Sequence, residues 1–368
     1  MASRSITEDS LIRVIQRTVK SRGRVRLGIG DDAAVLKDGT VVTTDAYADR
    51  VHFDLSYMTL RQVGERCACG AISDVVAMAA KPEAVFVSLA LPRNISCLAP
   101  HTVRPSNAGV KHPASSIGQQ VRQLYSGIES VCVEMGCEVA GGDIIVTDRL
   151  LLALTVTGKT RTPRLRSGAR PGDALYVTGH LGSAEVGRML LAGEFRSQKS
   201  EVRVQNSQDV PSALGRKMSA LPHWARPLIR RHLRPLPRLG AMRDLKSSIN
   251  GLIDTSDGLA TDARHLSEMS GVRIVLQAGA IPIEPGTKRF CAEHGFAPLD
   301  FVLGAGEDYE LLFTSRHVVP KSVKGVKVTM IGRVDNGRGL WIERAGRTLP
   351  VTVTGYDHLR PNGGGKTC

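Results

Sequence analysis

Apolar residues in the first half of the chain recur at spacings that alternate between those of helices and those of strands. Leu11, Val14, Ile15 and Val19 fall on one face of a helix that Thr7 is placed to cap. Helical spacing returns over residues 60–71 and 117–135, and apolar runs of strand length occupy residues 41–45, 84–91 and 150–160. The pattern predicts helices and strands in alternation.

The second half continues this alternation. Strands are predicted over residues 173–178, 249–253, 326–334 and 340–343, and helices over residues 185–191 and 259–269. Alternating elements joined by many glycine-containing turns are typical of an α/β (α+β) protein. Proline, glycine and arginine residues between positions 162 and 168 indicate a boundary. We therefore expect an N-terminal α/β domain over residues 1–160 and a C-terminal α/β domain over residues 161–368.

Two stretches follow neither period. Residues 93–118 contain prolines with Asn, Ser and His, and residues 196–212 are predominantly polar. We expect both stretches to be loops outside the core.

Composition narrows the class of protein. A chain of 368 residues that is 42% hydrophobic can bury a core, and its apolar runs are too short to span a membrane. The first residues are polar, and the seven cysteines contain no Cys-x-x-Cys pair. We expect a cytoplasmic protein with free thiols.

The net charge of +14 is unevenly distributed. Arg226, Arg230, Arg231, Arg234 and Arg238 lie in one segment, without the interleaved aromatic residues of a nucleic-acid-binding module. We expect this charge to attract anionic phosphorylated metabolites rather than nucleic acid.

Short acidic segments follow apolar runs, and these carry the candidate chemistry. They occupy residues 28–35, 43–45, 73–74, 141–143 and 254–258. A single segment of this kind is weak evidence for a site, because Asp and Gly also occur in ordinary turns. We expect each of these segments to form an acidic turn. Together they favour phosphoryl transfer, since carboxylates hold the Mg²⁺ ions that neutralise phosphates. A calcium-stabilised or merely turn-rich protein is the competing interpretation, although a calcium loop would place its acids closer together.

Two glycine-rich segments resemble nucleotide-binding motifs without completing them. Residues 363–367 resemble the end of a P-loop whose first glycine is missing, and we expect a flexible tail there. Residues 179–182 follow a strand, but the Gly-x-Gly-x-x-Gly motif is incomplete, so a plain strand-to-helix turn is expected.

In their order along the chain, these motifs resemble the thiamine-monophosphate kinase family. That family belongs to the superfamily of aminoimidazole ribonucleotide synthetase and selenophosphate synthetase. The resemblance covers nearly the whole chain and rests on residues 28–35, 44–45, 51–53, 73–78, 141–143, 254–259, 306–311 and 355–358. The pair His52-Phe53, the block Gly-Glu-Asp-Tyr-Glu-Leu and the final Gly-Tyr-Asp-His separate this family from its superfamily relatives.

The resemblance implies a homodimer that uses ATP to convert thiamine monophosphate to thiamine diphosphate. It implies the aminoimidazole ribonucleotide synthetase-like architecture of two α/β domains, with mixed sheets flanked by helices and the dimer interface in the N-terminal domain. The implied Mg²⁺ ligands are Asp32, Thr43, Thr44, Asp45, Asp74, Asp143, Asp254 and Asp257. The implied ATP contacts are Gly142, Asp143, Arg166 and Ser256, and the implied thiamine-phosphate contacts are His52, Glu307 and Val353.

The implied transfer is direct. A phosphate monoester has a second pKa of about 6, so the acceptor is already mostly an oxyanion at neutral pH and needs no general base. Several Mg²⁺ ions would screen its repulsion from ATP. Arg50, Ala71 and Val353 depart from the family's usual glycine, asparagine and aromatic residue, which bears on acceptor affinity. The alternatives are another ATP-using enzyme of the superfamily and a nucleotide-binding protein without turnover.

Overall fold

A computed structural model describes residues 7–19, 23–93, 114–193 and 221–356. The helices of the N-terminal half are α1 (Glu8–Thr18), α2 (Leu60–Ala77) and α3 (Ala114–Met135). Its strands are β1 (Val25–Leu27), β2 (Ala34–Leu36), β3 (Thr40–Ala48), β4 (Lys81–Pro92), β5 (Glu138–Thr147) and β6 (Leu151–Lys159). Thr7 caps α1 as the sequence predicts, although the apolar stripe of this helix is exposed.

The C-terminal half contains a larger set of elements. Its strands are β7 (Ala174–Thr178), β8 (Leu252–Asp254), β9 (Arg273–Gln277), β10 (Leu311–Ser315), β11 (Ser322–Val323), β12 (Val326–Asp335), β13 (Gly339–Arg344) and β14 (Arg347–Pro350). Its helices are α4 (Ser183–Ala192), α5 (Arg226–Leu233), α6 (Leu239–Leu245), α7 (Leu259–Ser270), α8 (Pro285–His294) and α9 (Pro298–Gly304). Short 3₁₀ turns occupy Arg166–Gly168, His223–Ala225 and Ala278–Ala280.

The strands form two mixed sheets. The first has the order β1-β2-β3-β6-β4-β5, in which β4 and β5 are parallel. The second has the order β14-β13-β9-β12-β7-β10-β8, with β13 parallel to β9 and β11 paired to β12. This arrangement confirms the predicted α/β class. Sheet membership changes between Lys159 and Ala174. The boundary at residue 160 and the division into two domains stay predictions.

Helix α2 packs against β3, β4, β6 and α3. It approaches α3 closely through Gly64 and Gly127, where an added methyl group would meet the backbone of the opposite helix. The largest buried apolar cluster contains Val87 and Leu154 of the first sheet together with Leu252 and Phe313 of the second. Elements of both halves therefore share one core.

Three of the predicted acidic turns are wrong, because the segments lie inside regular elements. Residues 43–45 lie within β3, residues 73–74 within α2 and residues 141–143 within β5. The strand and helix patterns continue through these polar positions, since one face of each element supplies side chains to a site while the backbone stays regular. Residues 28–33, between β1 and β2, and residues 254–258, at the end of β8, leave a strand and turn, as expected.

The irregular segments fall largely outside the described residues. Helix α3 begins at Ala114, three residues before the predicted start, so the end of the expected 93–118 loop is helical. Residues 94–113, the predicted 196–212 loop and the predicted tail at 363–367 lie outside the described ranges. The turn at residues 179–182 joins β7 to α4, as expected. None of the described helices is long and apolar enough to cross a bilayer.

Candidate active site

Three carboxylates from separate parts of the chain meet at one point, which we call the carboxylate cluster. Asp32 lies in the turn before β2, Asp74 lies in α2, and Asp254 ends β8. One carboxylate oxygen of each residue lies within 4.8 Å of the other two. Asp32 and Asp254 are buried, and Asp74 is half-buried. The elements of both sheets thus contribute to one group of oxygen ligands.

Two hydroxyl groups fix the orientation of this cluster. The Thr43 hydroxyl donates a hydrogen bond to Oδ2 of Asp74 over 2.7 Å. The Ser73 hydroxyl donates to Oδ2 of Asp254, which ties α2 to the end of β8. Ser73 received no role in the sequence analysis, although its place beside Asp74 in a buried helix was a usable signal.

Arg166 brings a cation to the same point. Its Nε and Nη2 both donate to Oδ1 of Asp32, over 3.1 and 2.6 Å, and its backbone N–H donates to the carboxylate of Asp31 over 3.3 Å. Burial, followed by the neighbouring Asp32 charge, raises the pKa of Asp31 to about 6. The second oxygen of Asp32, Oδ2, is buried and has no hydrogen-bond partner among the described residues.

Burial and mutual repulsion work against the charged form of these acids. Burial, then the charge of Asp32, raises the pKa of Asp254 to about 7, although hydrogen bonding from Ser73 opposes the rise. Burial, then the charges of Asp45 and Asp254, raises the pKa of Asp74 well above its ordinary value. A divalent cation at this point would relieve the repulsion and favour the ionised carboxylates.

Strand β3 separates its polar residues between two faces. Alternation along the strand directs Thr43 and Asp45 to the same side, and the charge of Asp45 contributes to the raised pKa of Asp74. Thr44 points to the opposite face, where its hydroxyl accepts a hydrogen bond from Thr155 over 3.1 Å. The structure brings Thr43 and Asp45 to the carboxylate cluster but directs the Thr44 side chain away from it.

The turn after β8 carries Ser256 and Asp257 beside the cluster. The charge of Asp257 contributes to the raised pKa of Asp254. Asp262, in the first turn of α7, accepts a hydrogen bond from the Gly258 N–H over 3.0 Å and so fixes this turn. Sequence reasoning missed Asp262, for which an acid in the first turn of the predicted helix was the available signal.

The carboxylate cluster fits Mg²⁺. Its converging ligand atoms are all carboxylate oxygens, which are hard ligands of the kind that Mg²⁺ prefers. The buried Oδ2 of Asp32, without a partner among the described residues, is an acceptor that a cation could satisfy. Asp32, Asp74 and Asp254 are therefore the residues placed to hold such an ion.

Gly142 and Asp143 lie apart from this group, on the edge strand β5. Asp143 is exposed, pairs in register with Ser88 of β4 and is not one of the three converging acids. A cleft of 490 Å³ opens beside it, lined by Tyr125 and residues 139–144. Within one described chain, Asp143 faces this cleft rather than the carboxylate cluster.

A buried arginine connects two of the predicted substrate contacts. Arg66 of α2 is only 3% exposed, and its Nε donates a hydrogen bond to the backbone carbonyl of His52 over 2.8 Å. Its Nη2 forms an ion pair with Oε1 of Glu307. Sequence reasoning missed Arg66, although a single arginine among small apolar residues of a predicted buried helix was a signal.

Glu307 is joined to the turn that carries the metal-binding candidates. Its backbone lies in the left-handed region, with φ 64°, and its N–H donates to the carbonyl of Ser256 over 2.7 Å. Burial first, and then Glu307, raise the pKa of the Tyr309 hydroxyl, with contributions from Asp45 and Asp254. The Tyr309 hydroxyl is therefore close enough to Glu307, Asp45 and Asp254 for their charges to act on it.

His52 is held by its own loop. Its Nδ1 accepts a hydrogen bond from the Ala48 N–H over 3.2 Å, and its ring meets Tyr47 edge-on with centroids 5.5 Å apart. Gly70 makes room beside this ring pair, because a methyl group there would meet the hydroxyls of both Tyr47 and Tyr309.

Val353 and Tyr356 differ in what they contact. Val353 is half-buried against the second apolar cluster, and its carbonyl accepts a hydrogen bond from Arg264 over 3.0 Å. Tyr356 donates its backbone N–H to the carbonyl of Asp257 over 3.1 Å. Burial, then the charges of Glu307 and other acids, raises its pKa. Tyr356, which received no separate role from the sequence, thus has its ring near Glu307.

The basic segment is built into the fold. Arg231 and Arg238 both pair with the buried carboxylate of Glu310, and Arg234 pairs with Glu134. Although burial opposes it, Arg231 and Arg238 hold the pKa of Glu310 below its ordinary value. These three arginines therefore join structural elements, which weakens the expectation that the segment attracts anionic metabolites.

The chain is similar to a known protein family, to known enzymes and to a solved structure. Residues 30–160 match the family described as AIR synthase related protein, N-terminal domain. Thiamine-monophosphate kinase of Aquifex aeolicus is 30% identical over 346 residues, which cover 93% of this chain and 96% of the relative. The Methanopyrus kandleri enzyme of the same name is 31% identical over 340 residues, covering 92% of each chain. The solved structure of AaThiL complexed with AMPPCP and TMP superposes with a TM-score of 0.76 at 29% identity, covering 97% of this chain and all of that one.

Residues 30–160, which include most of the first sheet together with Asp32 and Asp74, match an AIR synthase-related N-terminal domain. Within that class, the extent and level of identity show that the chain belongs to the thiamine-monophosphate kinase family. The family, the fold class and the kinase assignment expected from the sequence are confirmed.

Proposed function

We propose that this protein transfers the γ-phosphoryl group of ATP to thiamine monophosphate, giving thiamine diphosphate and ADP in the cytoplasm, with several Mg²⁺ ions. The observation that carries the proposal is the convergence of Asp32, Asp74 and Asp254, joined through backbone hydrogen bonds to the loop of Glu307. A relative that is 29% identical along its whole length has been solved complexed with AMPPCP and TMP, which supports the choice of substrates.

The residues of this chain position the reactants rather than react covalently. Bound Mg²⁺ would neutralise phosphate oxygens and so lower the repulsion between the two phosphates. Asp32, Asp74 and Asp254 hold that charge, while Thr43 and Ser73 keep two of these carboxylates oriented. The acceptor monoester, with a second pKa of about 6, is already mostly ionised at neutral pH, so direct in-line transfer requires no general base.

The ligand assignments form part of the proposal, with unequal support. Contacts near the carboxylate cluster support Asp32, Thr43, Asp45, Asp74, Asp254 and Asp257 as metal ligands and Arg166 and Ser256 as ATP contacts. Thr44, Gly142 and Asp143 have no such support within one chain. For the acceptor, Arg66 links His52 and Glu307, whereas Val353 packs against core residues.

We further propose that the enzyme is a homodimer that pairs through β5. This strand lies at the edge of the first sheet and exposes three consecutive apolar side chains, those of Ile144, Ile145 and Val146. Exposing an edge strand with unpaired backbone groups and apolar side chains to water is energetically unfavourable. A second copy would cover it and would enclose the cleft beside Asp143.

A coupled assay for ADP release tests the proposed function. We expect ADP to form with ATP, Mg²⁺ and thiamine monophosphate together, with thiamine diphosphate appearing in equal amount. ATP turnover with a different phosphorylated or carboxylated acceptor, but not with thiamine monophosphate, would indicate another enzyme of the superfamily. Nucleotide binding without ADP release would contradict any kinase activity.

A further inference from the structure

Arg66 occupies an unusual position for a charged side chain. It lies on the buried face of α2, and its guanidinium contacts three segments that are distant in the sequence. Nε donates to the carbonyl of His52, Nη1 donates to the carbonyl of His232 at the end of α5, and Nη2 pairs with Glu307. One planar group thus joins the loop before α2, the basic segment and the loop after α9.

The pair with Glu307 is asymmetric. Arg66 is 3% exposed and contacts Oε1 of Glu307, whose side chain remains 28% exposed. Glu307 also has a left-handed backbone, a conformation that is strained for a non-glycine residue and persists only when its surroundings hold it. The arrangement fixes one side of the carboxylate and leaves the other side available to a ligand.

We infer that Arg66 is a positioning residue for the acceptor, acting through Glu307 and the His52 loop and setting acceptor affinity rather than the rate of transfer. The inference rests on the proposed function. Arginine suits this role because its planar fork contacts three acceptors in different directions and stays charged when buried. A lysine would keep the charge, but its single ammonium group would not span the same three partners.

The first test is steady-state kinetics of Arg66→Lys. We expect the KM for thiamine monophosphate to rise about tenfold, while kcat and the KM for ATP change by less than about twofold, because the carboxylate cluster is not contacted by Arg66. Arg61→Lys is the matched control, since Arg61 lies on the same helix but is exposed and pairs with Glu65. Arg61→Lys should leave kcat and both KM values unchanged.

The second test is a cycle with Glu307→Gln. Because Arg66 is inferred to act in part through Glu307, the double variant should raise the KM for thiamine monophosphate by clearly less than the product of the two single effects. If the two single effects on this KM multiplied in the double variant, the inference would be overturned. So would an unchanged KM for the acceptor in Arg66→Lys, an equal rise in both KM values, or loss of the cooperative melting transition, which would make Arg66 purely structural.

The outcomes separate the inference from the proposed function. Wild-type protein without ADP release dependent on thiamine monophosphate would overturn the proposed function, and the inference with it. Wild-type protein with that activity, combined with any of the contrary variant results, would overturn only the role of Arg66.

Discussion

Arg166 and Asp32, 134 residues apart in the chain, share two hydrogen bonds to a single carboxylate oxygen. The other oxygen of Asp32 is buried without a partner in the described ranges, and one oxygen of this carboxylate lies within 4.8 Å of ligand atoms of Asp74 and Asp254. Buried polar atoms are nearly always hydrogen-bonded or bound to an ion. Arg166 thus ties the second half of the chain to the first at the point where a metal ion fits.

Magnesium should stabilise the fold through this cluster. We expect the melting temperature of the wild-type protein to rise with Mg²⁺, since an ion that binds only the folded state adds about 2.7 kcal/mol at a hundredfold excess over Kd. Asp254→Asn should melt no lower than wild type in EDTA, because it removes repulsion, but should gain little from Mg²⁺ and lose activity. Asp38→Asn, at an exposed ion pair with Lys159, is the control. A wild-type melting curve indifferent to Mg²⁺ would contradict the metal assignment.

The metal-free protein should become less stable as pH rises. The pKa of Asp254 is about 7 in the folded protein against an ordinary value of 3.8, so the folded state keeps a proton that the unfolded chain has released. The free energy of unfolding should therefore fall between about pH 4 and pH 7 and then level off with respect to this group. Denaturant titrations in EDTA at pH 5.5 and 8 check this. The free energy of unfolding of Asp254→Asn should decrease less between these two pH values than that of the wild type. An equal decrease in both proteins would contradict the role of Asp254.

Thr43 and Thr44 provide a matched pair of hydroxyls. Thr43→Val removes the hydrogen bond to Asp74 and should weaken Mg²⁺ activation about tenfold, the effect of losing a hydrogen bond to a charged group. Thr44→Val changes a hydroxyl on the opposite face of β3 and should alter activation by less than about twofold. Mg²⁺ titrations of activity compare them. A larger effect at Thr44 would favour the ligand role that the family resemblance implies for it.

Much of the fold could be predicted from the sequence, because the long elements bury one periodic face. The alternation of β6 and the stripe of α3 gave their positions to within a few residues. Strands β1, β2, β5, β9, β10, β11 and β14 and helices α5, α6, α8 and α9 were not predicted. Most of these elements are short and depend on tertiary packing. A strand of three residues carries too little pattern to be distinguished from a loop.

The site was harder to predict from the sequence, because its contacts join residues far apart in the chain. Motifs supplied Asp32, Asp74 and Asp254, but no local pattern indicates that Arg66 reaches Glu307 or that Ser73 reaches Asp254. Those interactions depend on how α2, β8 and the loop after α9 meet.

The exposed edge of the first sheet should determine the oligomeric state. We expect the wild-type protein to sediment as a dimer and Ile145→Glu to sediment as a monomer, because the charge would be placed in an apolar interface. Val318→Glu is the control, since Val318 is 95% exposed and lies far along the chain from β5. Analytical ultracentrifugation decides between them. A monomeric wild type, or a dimeric Ile145→Glu, would exclude pairing through β5.

The last prediction concerns which residue would contact the acceptor ring. Tyr356 is half-buried, its backbone is bonded to Asp257 and its ring lies near Glu307, whereas Val353 packs against core residues. An aromatic ring can stack on a planar heterocycle, which contributes about 1 kcal/mol beyond the area buried.

We therefore expect Tyr356→Leu to raise the KM for thiamine monophosphate about fivefold with little change in the KM for ATP, in line with a loss of about 1 kcal/mol. Tyr356→Phe should retain most of the affinity, because the ring is kept and only the hydroxyl is lost. Val353→Ala should instead lower the melting temperature and leave the acceptor KM nearly unchanged, since it removes packing from the second apolar cluster. Acceptor titrations and melting curves on the three variants separate binding from packing. If Val353→Ala raised the acceptor KM while Tyr356→Leu did not, the acceptor would contact position 353, as the family resemblance implies.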